Sequence, residues 1–77
     1  MIFCAKEFGK RLQTVRRQHF LRRNELARIL ETSAYVIKQI ERGKTEPDSD
    51  LILNLFVFFK DDFHYLITGK HEVISRS

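Results

Sequence analysis

Apolar residues in the first part of the chain recur at helical spacing. Phe8, Leu12 and Val15 stand at i, i+4 and i+7, and lysines and arginines fill other positions, which predicts an amphipathic helix over residues 4–18. A second, shorter helix is predicted over residues 23–30. Its inward positions are Leu26, Ala27 and Leu30.

The next segment, residues 34–42, presents two different faces. Val36, Ile37 and Ile40 form an apolar stripe at helical spacing, which predicts a face turned towards the core. The opposite face is polar and partly cationic, and it consists of Ala34, Tyr35, Lys38, Gln39 and Arg42. We therefore expect one helix that supports the core and also offers a binding surface.

Local signals set the limits of this third helix. Ser33 is a good N-cap before it, and Gly43 is a good left-handed stop just past its end. Ala27 lies on the inner face of the preceding segment, where a larger residue would push the next helix away. Two short helices across a tight turn, the second with a polar outer face, have the layout of a DNA-binding helix-turn-helix over about residues 23–42.

Residues 51–59, LILNLFVFF, are apolar at eight of nine positions, and such a run fits a buried strand or a buried helix. The flanking Asp48, Ser49 and Asp50 resemble a cap and an acidic first turn, and no second strand-like run exists for pairing, so a helix is favoured. Its predicted inner face consists of Leu51, Leu55 and Phe59. Four large residues then remain outside this face, which is more than one small core can easily bury. They are Ile52, Phe56, Val57 and Phe58.

A last helix is predicted over residues 62–68, with Asp61 or Asp62 as its cap and Gly69 as its terminator. The residues expected to be buried on it are Phe63, Leu66 and Ile67, with Tyr65 at an edge. The predicted fold class is therefore all-α, a compact arrangement of five helices.

Length and charge add limits to this prediction. Seventy-seven residues support one small core, so we expect a single domain over residues 1–69 and a tail over residues 70–77. Residues 1–46 carry eleven Lys and Arg against five Asp and Glu, whereas residues 47–77 carry three against five. This asymmetry fits a polyanion-binding unit followed by a segment with another task, and it fits ordinary surface charge equally well.

Several functional classes find no support in the sequence. The single cysteine, Cys4, excludes an intramolecular disulfide, and we expect a cytoplasmic protein without a signal peptide or a membrane span. His19, His64 and His71 are too scattered to suggest a metal site. We also find no nucleophile with a base, no paired carboxylates and no phosphate-binding loop, so neither an enzyme nor a cofactor is expected.

The order and spacing of these residues resemble the lambda repressor and Cro family of helix-turn-helix proteins, also called the Xre-type family. The resemblance covers residues 8–69. Its carriers are the start Phe8-Gly9-Lys10-Arg11-Leu12, Arg16, the step Glu25-Leu26-Ala27, Ser33, Ile37, the run Ile40-Glu41-Arg42-Gly43-Lys44, Pro47, Leu51 and the ending Leu66-Ile67-Thr68-Gly69. The resemblance implies a lambda-repressor-like bundle of five helices, with a dimer that binds two DNA half-sites.

The resemblance also implies roles for individual residues. Gln39 matches a base-reading position, and its amide can pair with N7 and N6 of adenine in the major groove. Lys38 is expected to reach guanine or a phosphate, Tyr35 a phosphate or a thymine methyl, and Ala34 a thymine methyl. Ser33 would lie close to the DNA backbone. The residues suited to phosphate contacts are Arg23, Arg42 and Lys44.

An ion pair is also implied. Arg16 and Glu41 occupy positions where the family often ties its first helix to the end of its recognition helix. The alternative is an ordinary surface pair, which is worth about 0 to 1 kcal/mol. We expect the structural pair because Glu41 adjoins the inward face.

The chain departs from the family pattern at several positions. Glu31 stands where the family usually has a turn glycine, and glycine adopts a positive φ at less cost than glutamate. We therefore expect the turn either to be strained or to follow a different path. Arg23 replaces a common glutamine that docks on a phosphate. Phe20 stands where a small turn residue is frequent, and Thr32 where an aliphatic residue is.

Aromatic residues accumulate near the C-terminal end, and Phe56 stands where the family usually has alanine. They either fill a rearranged core or form an interface, and a patch of this size on a small chain favours an interface. We predict a homodimer through the last two helices. The interface residues are Val57, Phe58, Phe63 and Tyr65.

The leading function predicted from the sequence is a sequence-specific transcriptional regulator, a small repressor that binds double-stranded DNA. The alternative is a protein-interaction module, such as an antitoxin or an adaptor, whose C-terminal apolar surface binds a partner protein. The excess of apolar residues over residues 51–59 supports this alternative. Neither function involves a membrane.

Overall fold

The computed structural model of the protein describes residues 3–70, which form five helices and no strand. The helices are α1 (Ala5–Gln18), α2 (Arg23–Ile29), α3 (Ala34–Glu41), α4 (Ser49–Phe58) and α5 (Lys60–Thr68). The predicted all-α fold class is therefore confirmed. The predicted tail falls, apart from Lys70, outside the described residues, as does His71.

Helix α1 supplies one side of the core. Phe8, Leu12 and Val15 are buried, as their spacing predicts, and Cys4 precedes the helix in an extended conformation. The helix gives way after Gln18 to a turn in which Phe20 has a φ of 57°. The first predicted helix is thus confirmed to within one residue.

Helices α2 and α3 form the helix-turn-helix. Leu26, Ala27 and Leu30 are buried, and the Thr32 N–H donates to the Ala27 carbonyl over 2.8 Å across the turn. Helix α3 packs against both α1 and α2. The methyl group of Ala27 is therefore enclosed at the place where the sequence predicts that a larger side chain would not fit.

One prediction about α3 is wrong in part. Ile37 and Ile40 are buried, but Val36 is exposed, and the buried Glu41 completes the inward face. Residues 37, 40 and 41 stand at i, i+3 and i+4, so the centre of that face lies on their side of the helix and Val36 lies at its edge. Glu41 can occupy this inward position because the side chains of Arg16 and Arg23 neutralise its charge.

The apolar run that fitted either a strand or a helix forms helix α4 up to Phe58, as the sequence favoured. The Asp48 carboxylate accepts a hydrogen bond from the Leu51 N–H at 2.8 Å, which caps the helix as expected. Leu51, Leu55 and Phe59 are buried, whereas Phe56 is exposed. The inner face is therefore confirmed. Of the predicted surplus, Phe56, Val57 and Phe58 are exposed, whereas Ile52 is half-buried against the core.

Helix α5 begins earlier than predicted, and neither Asp61 nor Asp62 is its cap. Phe59 has φ −129° and ψ 49°; its N–H donates to the Leu55 carbonyl at 2.8 Å, and its carbonyl accepts from the Asp62 N–H at 3.0 Å. A single kinked residue thus ends α4 and starts α5 without a side-chain cap. Both aspartates lie in the first turn of α5, where the helix dipole favours negative charge.

An arginine ties the end of α5 to α1. Arg11 Nη1 donates to the carbonyls of Leu66 at 3.1 Å and Ile67 at 3.4 Å, and α5 then ends at Gly69 in the predicted left-handed conformation. The last-turn carbonyls of a helix lack intrahelical partners, so a cation stabilises them. Among the described helices, none is long and apolar enough to cross a membrane.

Candidate nucleic-acid interface

The outward face of α3 carries the residues predicted to read DNA. Tyr35, Lys38, Gln39 and Arg42 stand at i, i+3, i+4 and i+7, opposite the buried Ile37 and Ile40, so they share one face of the helix. Gln39 is half-buried, and the other three are exposed. Because Ile37 and Ile40 pack in the core, the opposite face of α3, which carries these four residues, is turned towards solvent.

The N-terminal end of α3 is fixed by its cap. Ser33 Oγ accepts a hydrogen bond from the Val36 N–H at 3.2 Å, which leaves the hydroxyl proton free to donate to an anion. Ala34 and Tyr35 follow directly and are exposed. The structure thus brings these three predicted contact residues together at one end of the helix.

A compact turn ends α3 and presents two cations. Gly43 has a φ of 74°, and the Lys44 N–H donates to the Gln39 carbonyl at 2.9 Å. Arg42 and Lys44 are exposed and form no ion pair within residues 3–70. A Cβ at Gly43 would lie 2.8 Å from Lys6 Cα, so the start of α1 closely approaches this turn. Lys6 is therefore a nearby cation that sequence reasoning did not single out.

The predicted Arg16–Glu41 ion pair is confirmed, and it is buried. Arg16 Nε lies 2.6 Å from Glu41 Oε2, and Arg16 Nη2 donates to Glu41 Oε1 at 3.2 Å. The side chain of Glu41 is only 1% exposed. A carboxylate this far from water needs a cation, because its desolvation would otherwise cost several kcal/mol.

Arg23 joins the same carboxylate, which sequence reasoning did not predict. Its Nε donates to Glu41 Oε1 at 3.0 Å, and its side chain is 34% exposed. The signal available in the sequence was an arginine at the start of α2, where the family that the sequence resembles commonly has a neutral glutamine. The predicted phosphate-contact residue therefore stands at the edge of a buried ionic cluster.

The turn between α2 and α3 follows a left-handed path at Glu31. Its φ is 58°, and its N–H donates to the Arg28 carbonyl at 3.3 Å. An L-residue in this conformation costs roughly 1 to 3 kcal/mol when other interactions impose it. Of the two alternatives for this turn, strain or a different path, the positive φ of Glu31 fits strain, and the turn nevertheless keeps α2 and α3 in contact.

The four residues predicted for the dimer interface do not form one cluster. Val57 and Phe58 are 54% and 56% exposed, whereas Phe63 and Tyr65 are half-buried and pack against the core. Phe58 lines a groove with Leu21 and Ile29. Phe63 lines a different groove, with its ring edge-on to Phe56 at 5.2 Å between centroids.

Other candidate chemistry is structural or absent from the described residues. His19 Nε2 lies 2.8 Å from Asp62 Oδ2, and its ring stands edge-on to Phe59. No group of three or more His, Cys, Asp or Glu residues within positions 3–70 could hold a metal ion. Cys4 is exposed and unpaired as a thiol.

Comparison with known structures supports the fold. The chain superposes on the crystal structure of a transcriptional regulator from Listeria innocua with a TM-score of 0.70, at 20% sequence identity and over 91% of this chain. It spans 64% of the length of that regulator. No protein-family model and no curated protein sequence matches the chain. At this level of identity the likeness establishes the helical architecture alone.

Proposed function

We propose that the protein is a sequence-specific DNA-binding transcriptional regulator, a small dimeric repressor that reads the major groove with residues 34–42. One observation carries the proposal: the core and the Ser33 cap hold a polar, cationic face of α3 in solvent, and its cations form no ion pair within the described residues. An α-helix fits the major groove of B-DNA, where base edges can be distinguished. The likeness to a known transcriptional regulator supports the same proposal.

Gln39 and its neighbours on α3 supply the base contacts in this proposal. The Gln39 amide donates to adenine N7 and accepts from the N6 amino group. Lys38 donates to a guanine or a phosphate, and Ala34 and Tyr35 contact a thymine methyl, Tyr35 alternatively a phosphate. Half-buried Gln39 loses fewer rotamers on binding than a fully exposed side chain would.

Contacts to the DNA backbone set the register of the helix. Ser33 donates its hydroxyl proton near the start of α3, and Arg42 and Lys44 supply charge near its end. Arg23 adds a third cation from the start of α2. These contacts carry no sequence information, but they fix the position from which Gln39 reads a base.

A homodimer would place two α3 helices in successive major grooves, roughly 34 Å apart. We propose that α4 and α5 form its interface, with exposed Val57 and Phe58 buried on association. Phe63 and Tyr65 are half-buried within the monomer and would contribute their remaining exposed edges. The protein acts by occupying DNA, and we propose neither an enzymatic activity nor a cofactor.

The experiment that tests this function is selection of bound sequences from a random duplex pool. It is performed near physiological salt, where non-specific phosphate binding is weak. An enriched inverted repeat, lost with Gln39→Ala, is the expected result. Absence of enrichment by a protein that circular dichroism shows to be folded would refute the proposal.

The exposed apolar row of α4 favours a second candidate, a protein-interaction module such as an antitoxin or an adaptor. Leu53, Phe56, Val57 and Phe58 are all exposed. This alternative predicts that the purified chain remains monomeric at high concentration, as measured by sedimentation equilibrium, and selects no DNA sequence. A dimer that selects an inverted repeat would exclude it as the principal function.

A further inference from the structure

One buried carboxylate is shared by arginines from two helices. Glu41, the last residue of α3, accepts hydrogen bonds from Arg16 of α1 and from Arg23 of α2. The three side chains therefore connect every helix that forms or supports the predicted DNA-reading surface. Two guanidinium groups and one carboxylate leave this cluster with an excess of one positive charge.

The two arginines use their nitrogens differently. Arg16 bonds through all three: Nε and Nη2 to Glu41, and Nη1 to the Leu21 carbonyl at 2.9 Å. Its side chain is only 10% exposed. Arg23 bonds through Nε alone, and its Nη1 and Nη2 donate to no group within residues 3–70. Arg16 thus neutralises Glu41 inside the protein, while Nη1 and Nη2 of Arg23 remain available to donate hydrogen bonds.

We propose that Glu41 is a positioning residue that aims the free Nη1–Nη2 edge of Arg23 at a backbone phosphate of bound DNA. A guanidinium can engage one acceptor through Nε and a phosphate through its two Nη atoms, because its donors lie in one rigid plane. This inference rests on the proposed DNA-binding function. It assigns to a buried residue of α3 control over a contact made from α2.

Coupling to base reading follows from the position of Glu41. Gln39 lies two residues earlier on the same helix, so a phosphate held by Arg23 is fixed relative to the base-reading side chain. Arg16 keeps the carboxylate compensated when a phosphate attracts Arg23. Arg23 is the more exposed of the two arginines, so an anion in solvent can reach the excess positive charge of the cluster at Arg23.

A double-mutant cycle tests the inference with the full chain and a non-specific DNA duplex as the probe. Dissociation constants are measured over a series of salt concentrations for the wild type, Arg23→Ala, Glu41→Gln and the double variant. Glutamine replaces one carboxylate oxygen with an NH2 donor and removes the negative charge, so the remaining carbonyl oxygen no longer attracts two guanidinium cations as the carboxylate does. The more deeply buried Arg16 retains it, and Arg23 is released.

In the wild-type background, Arg23→Ala is expected to weaken binding about tenfold and to lower the slope of log Kd against log salt by about 0.9. In the Glu41→Gln background, we expect the same change to weaken binding less than about threefold, because the contact is already lost. Equal losses in both backgrounds would overturn the positioning role. A wild-type protein that binds no duplex at low salt would refute the proposed function itself.

Arg23→Lys provides a test that leaves the Arg16–Glu41 pair intact, should Glu41→Gln fail to fold. A lysine ammonium keeps the charge but cannot bond to Glu41 and present a second donor edge at once. We expect at least about a fivefold loss of affinity, with an unchanged circular dichroism spectrum. The control is Arg28→Lys on the exposed side of the same helix, with less than about a twofold change. Wild-type affinity in Arg23→Lys would contradict the inference.

Discussion

At the scale of single residues, Gly9 decides how closely α1 and α3 approach. A Cβ there would overlap the Ile40 carbonyl oxygen and lie 2.8 Å from the Glu41 carbonyl oxygen. These are backbone atoms and cannot move aside as the end of a flexible side chain can. Gly9 therefore also keeps Glu41 within reach of Arg16.

We expect Gly9→Ala to destabilise the fold by about 1 to 3 kcal/mol, the usual cost of inserting a methylene into a tightly packed contact. Thermal unfolding followed by circular dichroism measures the effect. Thr14→Ala, an exposed change on the same helix, is the control and should alter stability by less than about 0.5 kcal/mol. An unchanged melting temperature in Gly9→Ala would mean that α1 and α3 separate without cost.

Glu31 allows a change in the opposite direction. Its φ of 58° suits glycine, so Glu31→Gly should stabilise the fold by about 0.5 to 1 kcal/mol after the greater entropy of the unfolded glycine is subtracted. Glu31→Ala is the matched control, because alanine retains the strain. Chemical denaturation compares the two variants, and equal stabilities would exclude backbone strain as the cause.

At the scale of elements, helix positions follow from apolar spacing, and helix boundaries follow less well. Phe8, Leu12 and Val15 predict α1 because one buried stripe must recur with the helical period. The start of α5 escapes prediction because Phe59 ends one helix and begins the next through backbone geometry, without a polar cap. The spacing of apolar residues along the chain determines where a helix forms. The junction between α4 and α5 at Phe59 depends instead on how these two helices pack against each other.

The candidate site likewise contains features that the sequence predicts and features that depend on how the helices pack. Exposure of Lys38 and Arg42 follows from their positions opposite the core, and the sequence predicts it. The bond between Arg23 and Glu41 joins residues eighteen positions apart, so only the packed fold reveals it. Inward placement of Glu41 instead of Val36 also depends on that packing.

Helix α3 yields a prediction at the scale of an element. Gln39→Ala should cost about 1 to 3 kcal/mol of binding free energy on a selected site and much less on random DNA, because only the selected site presents the matching base edge. Fluorescence anisotropy with both duplexes measures the difference. The control is Thr45→Ala in the loop after the helix, expected to change both affinities little. Equal losses on both duplexes would exclude Gln39 as a base reader.

At the scale of the whole molecule, most cations and the exposed apolar residues of α4 lie on different helices. Cations concentrate in the part of the chain that forms α1 to α3, and exposed Leu53, Phe56, Val57 and Phe58 lie on α4. The proposed DNA-reading face of α3 and the proposed dimer contact of α4 therefore use different helices. This separation is what a dimer needs if both α3 helices are to face one duplex.

Phe58→Asp tests whether α4 supplies the dimer contact. An aspartate at this exposed position should be tolerated by the monomer, but burial of its charge against a second copy would be costly. We expect sedimentation to shift towards the monomer, and we expect affinity for an inverted repeat to fall more than affinity for random DNA, because the two half-sites no longer bind as a unit.

Phe20→Asp is the matched control for that shift. Phe20 is 93% exposed in the turn between α1 and α2, and aspartate tolerates its positive φ, so the same chemical change is made outside α4. If only Phe58→Asp dissociates the dimer, the contact involves α4 specifically and not exposed aromatic surface in general. If Phe20→Asp alone dissociates it, the two copies meet through the α1–α2 turn. The two α3 helices would then require a different spacing on DNA, which the separation of the selected half-sites would reveal.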